Sequence, residues 1–468
     1  MTAGLLQLTA IGPQDIYLTG NPQISFFESV YRRYSNYVIE NHKLIFTGKI
    51  DFSRTIICNI QNIGDLLHKL ILEIDFKLKY QCNESGVDIK DKVEASENPL
   101  NTCLYAERTH LSNALIKSLK LKINDNVIDE HYGMWLQIQN ELDNDNYTKI
   151  NNFFTGNNKS GLTYNVAKLM SGDTDITIKV DDNAKIDDIF EEVYKFYIPL
   201  KFWFCKESSS ALPLISLPNH NIEIEIDIER EENIKTNSDF GKIGSDAYIT
   251  ILSKEIDMNL NANYIILDKP ERQRFATKPH EYLIEQLQIN RLNKLKSNSD
   301  INRELYFNFP IKELIWVSTC DDFSTSSCDF VSLSNSKPQD CVVKLLLNGY
   351  NRFTPRNMSY FTKLQPYIYH NNIPNQNTIG VYSFCLYPKN LKPSGTCNFS
   401  ILDNAILEFN FKKQENSRNK LNVKHLDISG NIILPYSQEG VYVGKVIVFA
   451  VNYNMLKIKD GNAYLIYK

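Results

Sequence analysis

Period-two alternation of apolar and polar residues, a high share of aromatic side chains and turns built from asparagine predict a mainly β chain of antiparallel sandwiches. The alternation is plainest in two places. Leu70, Leu72, Ile74, Phe76 and Leu78 alternate with Ile71, Glu73, Asp75, Lys77 and Lys79, and Ile222, Ile224, Ile226 and Ile228 alternate with Glu223, Glu225, Asp227 and Glu229. A strand with one face buried reads this way. Aromatics make up 11% of the 468 residues, with 26 Tyr and 24 Phe, a content that suits half-buried pleated surfaces. Asn occurs 51 times against 19 Gly, so the turns draw on side chains that hydrogen-bond their own backbone.

From the N-terminus, residues 1–20 are too short and mixed for a domain and read as a flexible arm. Asn21 suits a helix N-cap and Pro22 a first helical position, and Phe26, Phe27, Val30, Tyr31 and Tyr34 recur at helical spacing. A short helix is therefore expected after the arm. Strands are expected next at Leu70–Leu78, at Leu119–Ile123 and Val127-Ile128 around an Asn124-Asp125-Asn126 turn, at Ile222–Ile228, Tyr248–Leu252 and Tyr264–Leu267. The series continues with Leu314–Val317, Val342–Leu347, Val381–Leu386, Ala405–Phe411 and Val446–Val451. No long helices are interleaved, which argues against a parallel α/β sheet. The charged stretch Asp268–His280, with two prolines, is the best boundary. The expected division is an arm over 1–25, a first domain over 26–268, a linker over 269–280 and a second domain over 281–468.

Charge and motifs exclude more than they suggest. The formal net charge is −4, so no direct nucleic-acid partner is expected. No stretch approaches the roughly 18 apolar residues of a membrane span. The nine cysteines include no CxxC pair, and Met1–Gly20 lacks the basic and apolar regions of a signal peptide; free thiols in a reducing cytoplasm are expected. P-loop, GxGxxG and GxSxG motifs are absent, which argues against nucleotide and α/β-hydrolase chemistry. His280-Glu281 opens like a zinc-protease helix, but Ile284 stands where the second His belongs. Asp143-Asn144-Asp145-Asn146 opens like a calcium loop, yet Thr148 and Phe154 replace the required Gly and Glu. Glu223, Glu225 and Asp227 share one strand face; they read as a solvated outer face or, alternatively, as the acids of a sandwich glycosidase. Arg272, Arg274 and Lys278 read as linker chemistry. Trp135, Trp203 and Trp316 read as core or interface anchors. No catalytic residue, cofactor or metal is expected. Sequons stand at Asn83, Asn146, Asn158, Asn357 and Asn398.

Seven blocks in order carry a resemblance over almost the whole chain: Gly4–Tyr37, His131–Asp143, Lys201–Ile226, Tyr264–Ile289, Tyr360–His370, Val381–Ala405 and Ala450–Tyr467. They resemble the major capsid proteins of nucleocytoplasmic large DNA viruses. The resemblance implies a double jelly roll, two eight-stranded antiparallel sandwiches in one chain, preceded by an N-terminal arm and helix. It implies pseudo-hexameric homotrimers that tile an icosahedral shell, contact neighbouring capsomers and assemble in the host cytoplasm. In the family the arm lies on the inner side, near minor capsid proteins and the inner viral membrane. Gln14, Asp15, Tyr17, Asn21 and Pro22 are the residues expected to make those contacts. Departures at Pro13, Asn124–Asn126, Leu347–Phe353 and Lys457–Lys468 leave an alternative, a divergent capsid paralogue with a minor or host glycan-binding role.

Overall fold

Burial alternates residue by residue along the strands, as the pattern requires. A computed structural model describes residues 3–13, 15, 19–29, 31–82, 111–143, 185–218, 220–231, 249–292, 301–320, 341–374, 378–411 and 444–467. The chain divides into two compact units, Met1–Tyr37 and Val38–Lys468.

In the larger unit, four antiparallel sheets form. The first joins β1 (Tyr37–Ile45), β9 (Ile249–Leu267), β3 (Leu66–Cys82) and β6 (Ile189–Pro199) in that order, with the two-residue β7 (Leu212–Pro213) added to β3. The second joins β2 (Thr55–Asn59), β8 (Ile222–Ile228), β4 (Ile116–Ile123) and β5 (Asn126–His131). The third joins β10 (His280–Leu292), β19 (Gly444–Lys459), β12 (Pro310–Cys320) and β16 (Ile379–Ser383), with β17 (Cys397–Asn398) on β12 and β20 (Asn462–Leu465) on β19. The fourth joins β11 (Ile301–Glu304), β18 (Ala405–Phe411), β13 (Cys341–Leu347) and β14 (Tyr350–Asn351), with β15 (Arg356–Asn357) on β13.

The order repeats. Omitting β7, β15, β17 and β20 and renumbering the rest from one within each half, both halves have the sheets 1-8-3-6 and 2-7-4-5. Two four-stranded sheets that exchange strands in this way are a jelly roll, so the chain is a double jelly roll. Among the described strands, none before Asp268 pairs with one after His280.

The inward faces supply the cores. Leu70, Leu72, Ile74, Phe76 and Leu78 of β3 meet Ile222, Ile224, Ile226 and Ile228 of β8 in the first half. Leu314 and Trp316 of β12 meet Val343, Leu345, Leu407 and Phe409 in the second. Burying each such side chain contributes about 1.5–3 kcal/mol. Trp203 and Trp316 are fully buried core residues, and Trp135 is buried between the halves.

Two sequence expectations are corrected. The expected helix after Asn21 is absent: no helix occurs in residues 20–29 or 31–36, whereas a helix stands earlier in the arm, α1 (Ala3–Thr9). Asn21 takes φ +50°, a left-handed turn that an N-cap, which needs extended backbone, does not adopt. Phe26, Phe27, Tyr31 and Tyr34 are exposed, and a helical stripe without a surface to pack on lacks its main source of stability. The expected linker also contains a helix, Lys269–Thr277. Asp268 caps it by accepting from the Lys269 amide at 2.7 Å, and Pro270 sits in its first turn, a combination that favours initiation.

Candidate functional site

The acidic strand β8 is neutralised by its neighbours. β4 sets Ser118, Lys120 and Lys122 beside it, and β2 sets Thr55. Lys120 Nζ donates to Glu225 Oε1 at 2.9 Å and to Asp227 Oδ2 at 3.1 Å, and Lys122 donates to Glu225. Thr55 and Ser118 hydroxyls each donate to Asp227 at 2.6 Å. Burial works to raise both carboxyls, but these donors outweigh it and hold Glu225 and Asp227 below their ordinary values. Neither retains a proton at neutral pH for the acid step of glycoside hydrolysis. The face is a shielded charge ladder.

The other motifs resolve into structure. His280 stacks on Phe275 with ring centroids 5.1 Å apart and bonds the Phe275 carbonyl. Arg272 Nε pairs with Asp65 at 2.9 Å. Asp143 turns to His370, and the rest of the calcium-like loop lies outside the described residues. Among the described residues, no three His, Cys, Asp or Glu side chains converge as metal ligands. Cys58, Cys205, Cys341, Cys385 and Cys397 are free thiols.

The most developed polar construction joins the two halves. Helix α2 (Gly133–Asp143) follows β5 and lies on the outer face of the β10–β19–β12–β16 sheet. Its Met134, Trp135, Ile138 and Leu142 pack on Ile315, Val317, Ile379, Val381, Ile447 and Phe449, with Trp135 and Phe449 centroids 5.4 Å apart. This explains why β12 and β19 are buried on both faces. The end of α2 is closed by the second half. The Asn372 amide donates to Leu142 O at 2.9 Å, Asn372 Nδ2 to Glu141 O at 2.9 Å and Asn371 Nδ2 to Asp143 O at 3.2 Å. These occupy carbonyls that a helix C-terminus otherwise leaves open.

Beside that cap, His370 Nδ1 donates to Asp143 Oδ1 at 2.8 Å, and Glu313 Oε2 lies 3.2 Å from Nε2. Burial alone lowers the imidazole pKa, but the two carboxylates reverse this and raise it to about 9. Burial would raise Asp143, and His370 more than offsets it. Lys206, from α3 (Trp203–Lys206) of the first half, reaches Glu285 of β10, which Lys312 of β12 also contacts. Lys312 is 1% exposed, a burial tolerated only with its charge paired. At the β10 edge, Asp129 of β5 accepts from the Leu287 amide at 3.1 Å. No sequence motif signals this junction; its partners are 227 positions apart in the case of Asp143 and His370.

The arm is the opposite case. Among its described residues none is buried, and Leu6, Leu8, Ile11, Ile24, Phe26 and Phe27 are exposed. Of the residues singled out from sequence, Asp15 closes a turn, accepting from the Gly12 amide at 2.8 Å, and Asn21 makes the left-handed reversal before Pro22. All three are exposed, while Gln14 and Tyr17 lie outside the described residues. These exposed apolar side chains are concentrated on one short segment.

Comparison with known proteins gives one consistent answer. A family model described as large eukaryotic DNA virus major capsid protein matches residues 271–463, and one described as major capsid protein N-terminus matches residues 25–268. The major capsid protein of Pyramimonas orientalis virus is 32% identical over the full length of both chains, and that of Paramecium bursaria Chlorella virus 1 is 30% identical, also over both full lengths. A quasi-atomic model of the PBCV-1 virus capsid superposes with TM-score 0.64 at 25% identity, covering 95% of this chain and all of the other. The Faustovirus major capsid protein shares the fold, with TM-score 0.60 at 13% identity over 96% of this chain and 94% of its own.

Proposed function

The chain belongs to the major capsid protein family of large eukaryotic DNA viruses, and on that premise we propose that it works as a homotrimer whose six jelly rolls form one pseudo-hexameric capsomer. Its role is that of a structural protein of the virion capsid. The observation that carries the trimer reading is the repeated 1-8-3-6 and 2-7-4-5 strand order, since three chains with two like sandwiches each present six like units to a hexagonal lattice. The buried junction supports it by fixing the two sandwiches of a chain against each other. We read the protein as non-catalytic; the shielded carboxylates of β8 support this. Assembly in the host cytoplasm is supported by the free thiols. On this reading the domains are 26–268 and 281–468, with the Lys269–Thr277 helix as the joint.

The arm is the segment that meets minor capsid proteins or the inner membrane under the shell, with Asp15, Asn21 and Pro22 shaping it. Its exposed Leu, Ile and Phe side chains support this assignment. Deleting residues 2–36 is expected to leave a folded trimer, because β1 begins at Tyr37, and to reduce closed shells at least tenfold when particles are counted by electron microscopy. A truncated chain that sediments as a monomer would make the arm a trimer clamp instead.

A further inference from the structure

A small cavity lies at the junction of the two halves. β5, α2 and the turn into α3 wall it on one side, β10 and β19 on the other. Its volume is about 20 Å³; a water needs about 10–15 Å³, so the space suits one particle of that size or slightly larger. The carboxylates beside it are already satisfied. Asp129 accepts from the Glu130 amide at 3.0 Å and the Leu287 amide at 3.1 Å, and lies 3.0 Å from His131 Nε2. Glu285 is held by Lys206 and Lys312. Lys201 differs: it is partly buried and has neither an ion pair nor a hydrogen bond among the described residues. Asp143 acts on it only at longer range, being bonded to His370. Burial lowers the Lys201 pKa from the ordinary lysine value, as expected of a charge short of partners. Two deeply buried polar side chains share the wall. Gln139, 7% exposed, makes no hydrogen bond among the described residues. His131, 4% exposed and stacked on Phe202 with centroids 4.7 Å apart, has its Nδ1 buried without a partner.

We infer that this cavity binds one small monovalent anion of chloride size, held by the Lys201 ammonium and the Gln139 side-chain amide with His131 beside it. Buried polar groups are nearly always paired, and an anion is the partner that pairs these. A cation would face Lys201 and Lys206 with no free carboxylate to offset them. A water would pair the amide and leave the charge of Lys201 uncompensated. Phosphate and carboxylate ligands carry several heavy atoms each and exceed the space. Trp135, Leu287 and Val451 complete the wall with apolar surface, and a charge-assisted hydrogen bond gains strength where the local dielectric is low. Because the wall comes from both halves of the chain, the bound anion favours the docked arrangement of the two sandwiches.

The test is thermal unfolding of the full-length chain as sodium chloride replaces sodium gluconate at constant ionic strength, followed by tryptophan fluorescence. A ligand that binds only the folded chain stabilises it by mass action, so the transition is expected to rise saturably by about 2 °C. Bromide is expected to act like chloride. The rise is expected to vanish in K201M, which keeps the length of the side chain without its charge, and to shrink in Q139L. Chlorine-35 NMR on folded wild type gives a readout that needs no variant to fold: excess broadening of the free chloride line, removed by added bromide. Equal transitions in chloride and gluconate, a chloride effect that survives unchanged in K201M, or a chlorine line that wild type leaves sharp would each overturn the assignment and make the cavity a water site.

Discussion

Replacing His370 by alanine is expected to destabilise the protein by about 3–5 kcal/mol, the usual loss when one partner of a buried ion pair is removed. The substitution strands the Asp143 carboxylate at the end of α2 and Glu313 on β12, which is 4% exposed at its side chain. Lys206 and Lys201 are the nearby cations of the first half that act on Asp143, but neither replaces the hydrogen bond at 2.8 Å. The measurement is urea unfolding followed by tryptophan fluorescence, which reports on Trp135 in the same junction.

The same residue sets a pH dependence with a definite sign. Its pKa is raised from 6.5 to about 9, so the folded state favours the imidazolium. Below pH 6.5 both folded and unfolded chains carry the proton, and the pairing stabilises fully. As the pH rises through about 9 the contribution is lost, and at 1.36 kcal/mol per tenfold the total is about 3 kcal/mol. Unfolding free energy is expected to fall between pH 6.5 and 9.5 in wild type and to be flatter in His370→Gln. The folded thiols of Cys58, pushed up to about 11, and of Cys205 and Cys341, pushed up to about 12, stay protonated through that window; their unfolded counterparts ionise only toward its upper end, a contribution that is the same in His370→Gln and cancels in the comparison.

Gly133→Ala is expected to cost about 3 kcal/mol or more. A Cβ there would stand 1.8 Å from Asn113 O and 2.6 Å from Ile116 O, and both are backbone atoms. Overpacking against a side chain is relieved by a rotamer change; against backbone it requires the helix to move. Lifting α2 separates Trp135, Ile138 and Leu142 from the second half, so the loss extends beyond the local clash. Differential scanning calorimetry is expected to show a lower transition temperature, with the single transition of wild type splitting in two as the halves uncouple.

The strands were legible because burial imposes a period on the side chains. Ile222 to Ile228 and Leu70 to Leu78 announce a buried and an open face, and the structure places them so. β1 leaves no such signature, because its sequence, Tyr37 to Ile45, is exposed at most positions and shows no alternation. The helix expected at Phe26 to Tyr34 was a helical spacing without a packing surface, whereas Lys269–Thr277 was obscured by charge although Asp268 and Pro270 announced its start. The junction was illegible for a different reason. His370 is one of eight dispersed histidines, and only folding brings it to Asp143. The two blocks that hold Asp143 and His370, His131–Asp143 and Tyr360–His370, stand out by resemblance alone.

A shell built from two jelly rolls per copy of this chain has a direct signature in the virion. Cryo-electron microscopy of purified virions, at a resolution that identifies side chains, tests it most directly. Capsomers of three copies are expected, each copy with the 1-8-3-6 and 2-7-4-5 sandwiches side by side and the arm beneath. Capsomers whose density traces to a different chain, with this one recovered outside the shell, would contradict it.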